Sequence, residues 1–350
     1  MKKCSDLLFF RPNRVWRCYL GGELLDKFMG SESGGDNLFP ENWLGSVTAA
    51  DNGEHSTSEN EGLSQTLQGD FFCDLLQQNS LELLGNQGGN LGVLCKFLDS
   101  AIRLPLQCHP DKEFARKYCN SDYGKTESWF ILDTREINGE KPYILLGFKE
   151  NVDKKLFKKA VMTQDIDSLL NMMHKIEVKK GDAFFIPGRI PHAIGSGVFM
   201  LEVQEPTDLV VQPERKIGNI QLSDKDMWQN LTPELGLECF NYQGESREKI
   251  LEKLQIKPRK ISENMLSLID EKLTDCFQVK QLNLGVRDKI VLPLDRWYLG
   301  VVTSGKGEVK SFGKNYSIRR SDCFFVPASA EELEFENSGS ENLQIFLINS

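Results

Sequence analysis

The chain contains few histidines and no long apolar run, and the second absence argues against a membrane protein. It has only four histidines in 350 residues. No apolar run approaches the ~18 residues that a membrane-spanning helix needs. The apolar stretch from Leu7 to Phe10 is too short for the core of a secretory signal. These features predict a cytoplasmic protein with no membrane partner.

Paired cysteines and excess positive charge are also missing. The nine cysteines are scattered singly and never form a CxxC pair, which predicts reduced thiols and no disulfide framework. The net charge of −9 argues against nucleic acid as a partner. An anionic small substrate is not excluded, because a few local cations set the field inside one cleft. Hydrophobic residues at 40% and charged residues at 27% are ordinary for a globular protein.

Two of the four histidines lie in the two most informative segments, residues 106–110 (LQCHP) and 191–195 (PHAIG). Gln107 and His109 are two positions apart on a predicted strand, so both side chains face one side, about 6–7 Å apart. Cys108 then faces the opposite side and is expected in the core. The first segment therefore offers an amide oxygen and an imidazole to one site.

A carboxylate for the same site comes from residues 123–129 (YGKTESW), where Lys125 and Glu127 also share one strand face. A structural zinc site normally closes its shell with four Cys or His ligands. An amide, two imidazoles and one carboxylate leave the ion open to a substrate oxygen, which favours Lewis-acid catalysis. The predicted ligands of a single metal ion, zinc or another divalent first-row metal, are Gln107, His109, Glu127 and His192.

An internal repeat indicates the fold. Residues 181–187 (GDAFFIP) resemble residues 321–327 (SDCFFVP), and the position five residues past the proline holds His192 in the first copy and Glu332 in the second. The spacing in the first copy resembles the second sequence motif of the cupins, which are antiparallel jelly rolls. We therefore expect a mainly β protein with two cupin-type jelly-roll barrels, of which the second lacks the metal.

Helical patterns lie between and beside these barrels. Residues 152–174 are predicted to form one or two helices, and residues 223–275 a helical segment with apolar spacing at 250, 251 and 254 and at 266, 269 and 273. The predicted domains are 1–222 with the metal, 223–275 helical, and 276–350 a degenerate cupin. The polar stretch 51–65 is expected to be a surface loop in which His55 is solvated.

Taken together, the motifs resemble the type I mannose-6-phosphate isomerases, a zinc-dependent family within the cupins. The resemblance runs from Glu41-Asn42-Trp43 through LQCHPD, YGKTESWFIL and PHAIGSG to LEVQEPTD. It implies the same four zinc ligands, and it implies that Lys125 serves substrate binding or proton transfer. The implied substrate is a phosphorylated hexose, with mannose 6-phosphate and fructose 6-phosphate interconverted through an enediol.

The chain departs from the family at its active-site arginine. That arginine lies ten residues after the glutamate of the strand that precedes it, and ten residues after Glu202 this chain has Gln212. Arg215 lies three positions further on, and we predict that it substitutes as a catalytic cation. Glu202 and Gln204 project from one strand face, as partners of the site or as surface groups.

Two other functions fit parts of the pattern. A sugar-phosphate sensor would keep the metal pocket without turnover, and Gln212 favours that alternative. A non-haem iron oxygenase would also use two histidines and a carboxylate, but the additional glutamine and the isomerase-like motifs argue against it.

Overall fold

The computed structural model describes residues 6–32, 34–85 and 90–350 and is mainly β. Its helices are Glu23–Met29 (α1), Phe72–Leu84 (α2), Lys112–Phe114 (α3), Lys154–Thr163 (α4), Ile166–Asn171 (α5), Asp224–Trp228 (α6), Pro233–Glu238 (α7) and Arg247–Leu254 (α8). Gly53–His55 forms a 3-10 turn, and Ala115–Cys119 continues α3 as a π-helical turn. No helix of the described residues combines the length and hydropathy that a membrane span requires.

The strands of the first half are Leu8–Phe9 (β1), Arg14–Val15 (β2), Glu41–Leu44 (β3), Leu94–Ser100 (β4), Glu127–Thr134 (β5), Tyr143–Phe148 (β6), Met173–Glu177 (β7), Ala183–Ile186 (β8), His192–Ile194 (β9), Val198–Gln204 (β10), Lys216–Ile217 (β11) and Ile220–Gln221 (β12). Those of the second half are Arg259–Lys260 (β13), Met265–Ile269 (β14), Gln278–Leu284 (β15), Lys289–Pro293 (β16), Tyr298–Ser304 (β17), Lys306–Ser311 (β18), Lys314–Arg319 (β19), Cys323–Val326 (β20), Glu332–Glu336 (β21) and Leu343–Asn349 (β22).

Four sheets stack as layers. The central two are the six-stranded sheet β2-β3-β4-β10-β5-β8 and the seven-stranded sheet β1-β20-β17-β22-β15-β14-β13. The three-stranded sheet β7-β6-β9 covers the first, and the four-stranded sheet β16-β21-β18-β19 covers the second. The strand pairing of the described residues gives facing sheets, as a jelly roll has, without a closed barrel. The prediction of a mainly β, cupin-like fold is confirmed.

Alternation along β10 shows how the layers divide the side chains. Met200 packs into the core beneath the three-stranded sheet, whereas Leu201 and Val203 pack between the two central sheets. Because successive side chains of a strand face opposite sides, Glu202 lies on the same face as Met200. The six-stranded sheet is thus apolar on its inner face and carries buried polar groups on the other.

The internal repeat is visible in the strand order. The run β8-β5-β10-β4-β3 of the first central sheet has the same arrangement as β20-β17-β22-β15-β14 of the second. The turns before β8 and β20 also agree, because Asp182 accepts a hydrogen bond from the Lys179 amide and Asp322 one from the Arg319 amide, each at 2.9 Å. His192 and Glu332 begin the equivalent strands β9 and β21. Glu332 is exposed, and the absence of metal from this copy stays a prediction.

The segment 223–275 is helical only in its first part. Helices α6 to α8 occupy 224–254, and α8 buries Ile250 and Leu254 as its spacing predicted. The helix expected around Leu266 and Ile269 is wrong, because these residues lie in β14, which pairs with β15. A short segment with four apolar residues in five satisfies helix and strand spacing alike, and pairing with a neighbouring strand decides between them. By contrast, α4 and α5 confirm the helices predicted within 152–174.

Candidate metal centre

The first candidate segment is held beside the second by the backbone. The Gln107 amide donates to the His192 carbonyl oxygen and the His192 amide donates to that of Gln107, both at 2.9 Å. Cys108 points away from the site into the core, as its place between Gln107 and His109 predicted. This pairing brings an early loop against β9, although the two histidines are far apart in the chain.

Three of the predicted ligands converge. One ligand atom from each of His109, Glu127 and His192 lies within 4.8 Å of the others, and all three residues are buried. His109 Nε2 is 3.0 Å from Glu127 Oε1, and His192 Nε2 is 3.8 Å from Glu127 Oε2. Gln107 is half-buried and lines the same cavity as Glu127. The structure therefore gathers two imidazoles and a carboxylate, with the amide residue at their side.

Hydrogen bonds orient both imidazoles toward the centre of this cluster. His109 Nδ1 faces the Leu209 carbonyl oxygen and His192 Nδ1 faces that of Ile190, each at 2.8 Å. A carbonyl oxygen accepts only, so both Nδ1 atoms carry the proton and both Nε2 atoms present a lone pair. The Nε2 atom of His192 is buried and has no hydrogen-bond partner among the described residues. A divalent cation fits this donor set, because it binds the Nε2 lone pair of His192 that the described residues leave unpaired.

The protonation states also suit a cation. Burial and the Lys125 ammonium lower the pKa of His109, and burial and the His109 ring lower the pKa of His192 to about 3. Burial opposes ionisation of Glu127, but Lys125 and the two imidazoles hold its pKa well below its ordinary value. At neutral pH the cluster thus offers neutral imidazoles and an ionised carboxylate, the forms that bind metal.

Acid should destabilise the metal-free protein through His192. The unfolded chain takes up a proton on this imidazole near pH 6.5, whereas the folded protein keeps it neutral down to about pH 3. Between these values the unfolded state binds more protons, so stability is lost as the pH falls, by up to about 1.4 kcal/mol per pH unit. Urea unfolding of chelator-treated protein from pH 7 to pH 4 measures this slope.

His192→Gln should flatten that dependence, because the variant has no imidazole to protonate at this position. His55→Gln is the matched control, since His55 is exposed. Equal slopes for the parent and His192→Gln would contradict the pKa assigned to His192.

Lys125 lies against the metal cluster. Its Nζ is 2.9 Å from Glu127 Oε1 and 3.3 Å from His109 Nε2, and the residue is buried. The alternation of β5 continues into residue 125, so the lysine and the glutamate point into one cavity, as the sequence predicted. An ammonium at this place is close enough to contact any molecule bound to the cluster.

Arg215 does not join these residues. Its Nη2 pairs with Asp224 Oδ1 at 2.7 Å, and 41% of its side chain is exposed. It does not line the cavity, whereas Gln212 does. The Gln212 side chain donates to the carbonyl oxygen of Asp226 and brings no charge to the cavity. The structure thus separates Arg215 from the cluster that it was predicted to serve, because the chain after Gln212 turns toward α6.

A network of buried charges that the sequence did not reveal extends from the cluster across the six-stranded sheet. Lys96 Nζ lies 3.3 Å from Glu202 Oε1 and 3.7 Å from Glu41 Oε2, and Arg17 Nε donates to Glu41 Oε2 at 3.1 Å. Burial and the Glu127 carboxylate raise the pKa of Glu202 to about 8. Burial opposes ionisation of Glu41, but Arg17 and Lys96 lower its pKa to about 2.

One cavity of about 150 Å³ is lined by these residues and by Gln107, Lys125 and Glu127 of the candidate site. Its outer wall includes Trp16 and His55, whose rings stack with centroids 4.6 Å apart. His55 is therefore exposed but packed on an aromatic ring, where the sequence suggested only a solvated side chain. The sequence left Glu202 as either a partner of the site or a surface group. The structure buries it, and it lines the cavity. The available signal for both Lys96 and Glu202 was a charged residue flanked by apolar residues in a strand.

Comparison with known proteins agrees with this architecture. No family model matches the chain. A probable mannose-6-phosphate isomerase of Bacillus subtilis, GmuF, is 26% identical over 336 residues, which are 95% of this chain and 96% of that protein. The mannose-6-phosphate isomerase of Streptococcus mutans is 35% identical over 136 residues, 39% of this chain and 40% of that protein. The resemblance to the type I mannose-6-phosphate isomerases is confirmed.

Solved structures show the same fold over the whole chain. The mannose 6-phosphate isomerase of Bacillus subtilis superposes with a TM-score of 0.75 at 18% identity, covering 99% of this chain and 100% of that one. A mannose 6-phosphate isomerase solved with zinc and yttrium bound superposes with a TM-score of 0.71 at 15% identity, with the same coverage. The layered arrangement of sheets is thus the arrangement of phosphomannose isomerases.

Proposed function

We propose that this protein is a zinc-dependent aldose–ketose isomerase that interconverts mannose 6-phosphate and fructose 6-phosphate. The observation that carries the proposal is the buried cluster of two imidazoles and a carboxylate, beside a lysine that lines the cavity. Whole-chain similarity to a probable mannose-6-phosphate isomerase supports mannose 6-phosphate as the substrate. The reduced cysteines fit a cytoplasmic location, and the eight described ones are free thiols.

One zinc ion per chain would be held by Gln107, His109, Glu127 and His192. When bound, it supplies Lewis acidity to the oxygens at C1 and C2 of the sugar. The carbonyl oxygens of Leu209 and Ile190 keep both imidazoles in the tautomer that binds metal. Trp129 Nε1 donates to Glu127 Oε2 at 3.1 Å and holds the carboxylate in place. The protein thus prepares the ligand geometry before substrate arrives.

The reaction moves a proton between C1 and C2, and two side chains of the cavity suit that transfer. Lys125 donates to an oxygen of the substrate and stabilises the negative charge that develops on the enediol. Glu202 lines the same cavity, is buried and lies 3.3 Å from Lys96 Nζ, and a carboxyl group at that place suits giving and taking a proton. We assign the substrate contact to Lys125 and general acid–base work to Glu202.

A coupled assay tests the proposal. Zinc-loaded protein should convert mannose 6-phosphate to fructose 6-phosphate, and removal of the metal with a chelator should abolish the conversion until zinc is restored. Binding of mannose 6-phosphate without turnover by zinc-loaded protein would sink the isomerase assignment. That result would instead support the sensor, which the neutral Gln212 favours.

A further inference from the structure

The cavity has a second end, remote from the metal cluster, and the cations Arg17 and Lys225 lie there. Arg17 makes its contacts there, with Glu41 on β3 and with Asn52 and Asp208. In the sheet order β3 is three strands from β5, which carries Glu127. Adjacent strands are separated by ~4.8 Å, so the two ends lie roughly 14 Å apart along the sheet. The two ends of the cavity are therefore separate places.

Three side chains hold the Arg17 guanidinium in place and leave one of its N–H donors without an acceptor among the described residues. Nε donates to Glu41 at 3.1 Å, Nη1 to Asn52 Oδ1 at 2.9 Å, and Nη2 to the Asp208 carboxylate at 3.2 Å. Only 12% of the side chain is exposed, and the guanidinium lies 5.1 Å from the centre of the Trp43 ring. A guanidinium has five N–H donors, so at least one of them has no acceptor among the described residues. It is a fixed cation with an unused hydrogen bond.

Lys225 is the second cation at this end of the cavity. It is exposed on α6, lines the same cavity as Arg17, and makes no ion pair or side-chain hydrogen bond with the described residues. The neighbouring Asp226 lines the cavity too, and its Oδ2 accepts from the amide and hydroxyl of Ser223. Gln212 contacts this helix through the Asp226 carbonyl oxygen. Arg17 is paired with Glu41 and Asp208, and Asp51 and Asp226 also line the cavity, so Lys225 is the cation of this end that no carboxylate of the described residues contacts.

We propose that Arg17 and Lys225 form the subsite that binds the phosphate group of the substrate. This subsite rests on the proposed function, and it places the phosphate at the outer end of the cavity while the reacting carbons lie at the metal cluster. A rigid guanidinium orients phosphate oxygens, and a mobile ammonium adds charge. Arg17 then brings to the cavity the guanidinium that Gln212 and Arg215 do not.

Lys225→Met tests the charged half of the subsite, with Lys257→Met as an exposed control lysine. Binding of inorganic phosphate to zinc-loaded protein is measured by calorimetry, and KM and kcat are measured with mannose 6-phosphate. A hydrogen bond to a charged group corresponds to about tenfold or more in affinity. We therefore expect the Kd for phosphate and the KM to rise about tenfold in Lys225→Met alone, with kcat little changed. Unchanged phosphate binding would overturn the role of Lys225.

Arg17 needs conservative variants, because its removal leaves Glu41 and Asp208 buried without their partner. Arg17→Lys keeps the charge and loses the planar fork, and we expect zinc content to stay while phosphate binding weakens about tenfold. The double variant Arg17→Gln with Gln212→Arg moves the guanidinium to a neighbouring wall, and we expect it to bind phosphate better than Arg17→Gln. Parent-like phosphate binding by a folded Arg17→Lys variant would remove Arg17 from the subsite.

The subsite and the proposed function fail in different ways. If the parent binds phosphate through Lys225 but does not isomerise mannose 6-phosphate, the isomerase assignment fails and the subsite stands. If the parent isomerises the sugar and Lys225→Met binds phosphate as tightly as the parent does, the subsite fails and the isomerase stands.

Discussion

Glu127→Gln is expected to abolish zinc binding and isomerase activity together. Glu127 is the one carboxylate of the ligand cluster, and it lies between both imidazoles and Lys125. The amide keeps the size of the side chain and an oxygen to accept from Trp129, so the fold should survive. It removes the negative charge that offsets the metal. Since Lewis-acid stabilisation is worth several kcal/mol, we expect turnover to fall about a thousandfold or more.

Metal content of the purified variant, measured by elemental analysis, separates loss of zinc from loss of chemistry. Glu263→Gln is the matched control, because Glu263 is exposed and does not line the cavity. Thermal unfolding checks that Glu127→Gln is folded. A folded Glu127→Gln protein that holds one zinc ion as tightly as the parent would show that the cluster is not the metal centre.

The sequence predicted the parts of the site that depend on local spacing. Gln107 and His109 share a face because they are two residues apart, and Lys125 and Glu127 share a face for the same reason. The repeated GDAFFIP and SDCFFVP segments predicted equivalent strands, and β8 and β20 occupy equivalent places in the two central sheets. Period-two geometry and turn chemistry are local, so they can be read without knowing the tertiary structure.

Contacts between distant segments could not be predicted in the same way. Arg17 meets Asp208 across 191 positions of the chain, and no local spacing links the two residues. Arg215 was placed in the site by its distance from Glu202, but the path of the backbone after β10 decides where a side chain points. The prediction of a helix at Leu266 was wrong for a different reason, because a short apolar segment does not distinguish a buried strand from a helix.

The phosphate subsite shows how the two kinds of information combine. Sequence spacing identified a missing cation at Gln212, and the tertiary structure alone shows a guanidinium from the N-terminal region in the same cavity. Glu41 and Asp208 hold that guanidinium in place at the expense of part of its charge. Arg17 and position 212 belong to distant segments of the chain, and only the tertiary structure shows that both face one cavity.

Lys125→Met is expected to retain zinc and to lose most of the isomerase activity. The ammonium lies 2.9 Å from Glu127 Oε1 and 3.3 Å from His109 Nε2 but is not itself a metal ligand. Methionine fills a similar volume without a charge. Because the substitution removes the ammonium that competes with the metal for Glu127, the carboxylate stays available to the metal. The variant lacks the donor that stabilises charge on the enediol. We therefore expect kcat to fall by about 10²–10⁴-fold, the usual contribution of a positioned acid–base or oxyanion-stabilising group.

The comparison of kcat with zinc content decides what Lys125 does. Lys180→Met provides the control, since Lys180 is exposed in the turn before β8. Loss of zinc from Lys125→Met would assign the lysine to the metal centre itself, against our expectation. A zinc-loaded Lys125→Met protein that turns over mannose 6-phosphate at the parent rate would leave the lysine without a catalytic role. A zinc-loaded variant with reduced kcat and unchanged phosphate binding would place its action at the reacting carbons, because phosphate binds at the other end of the cavity.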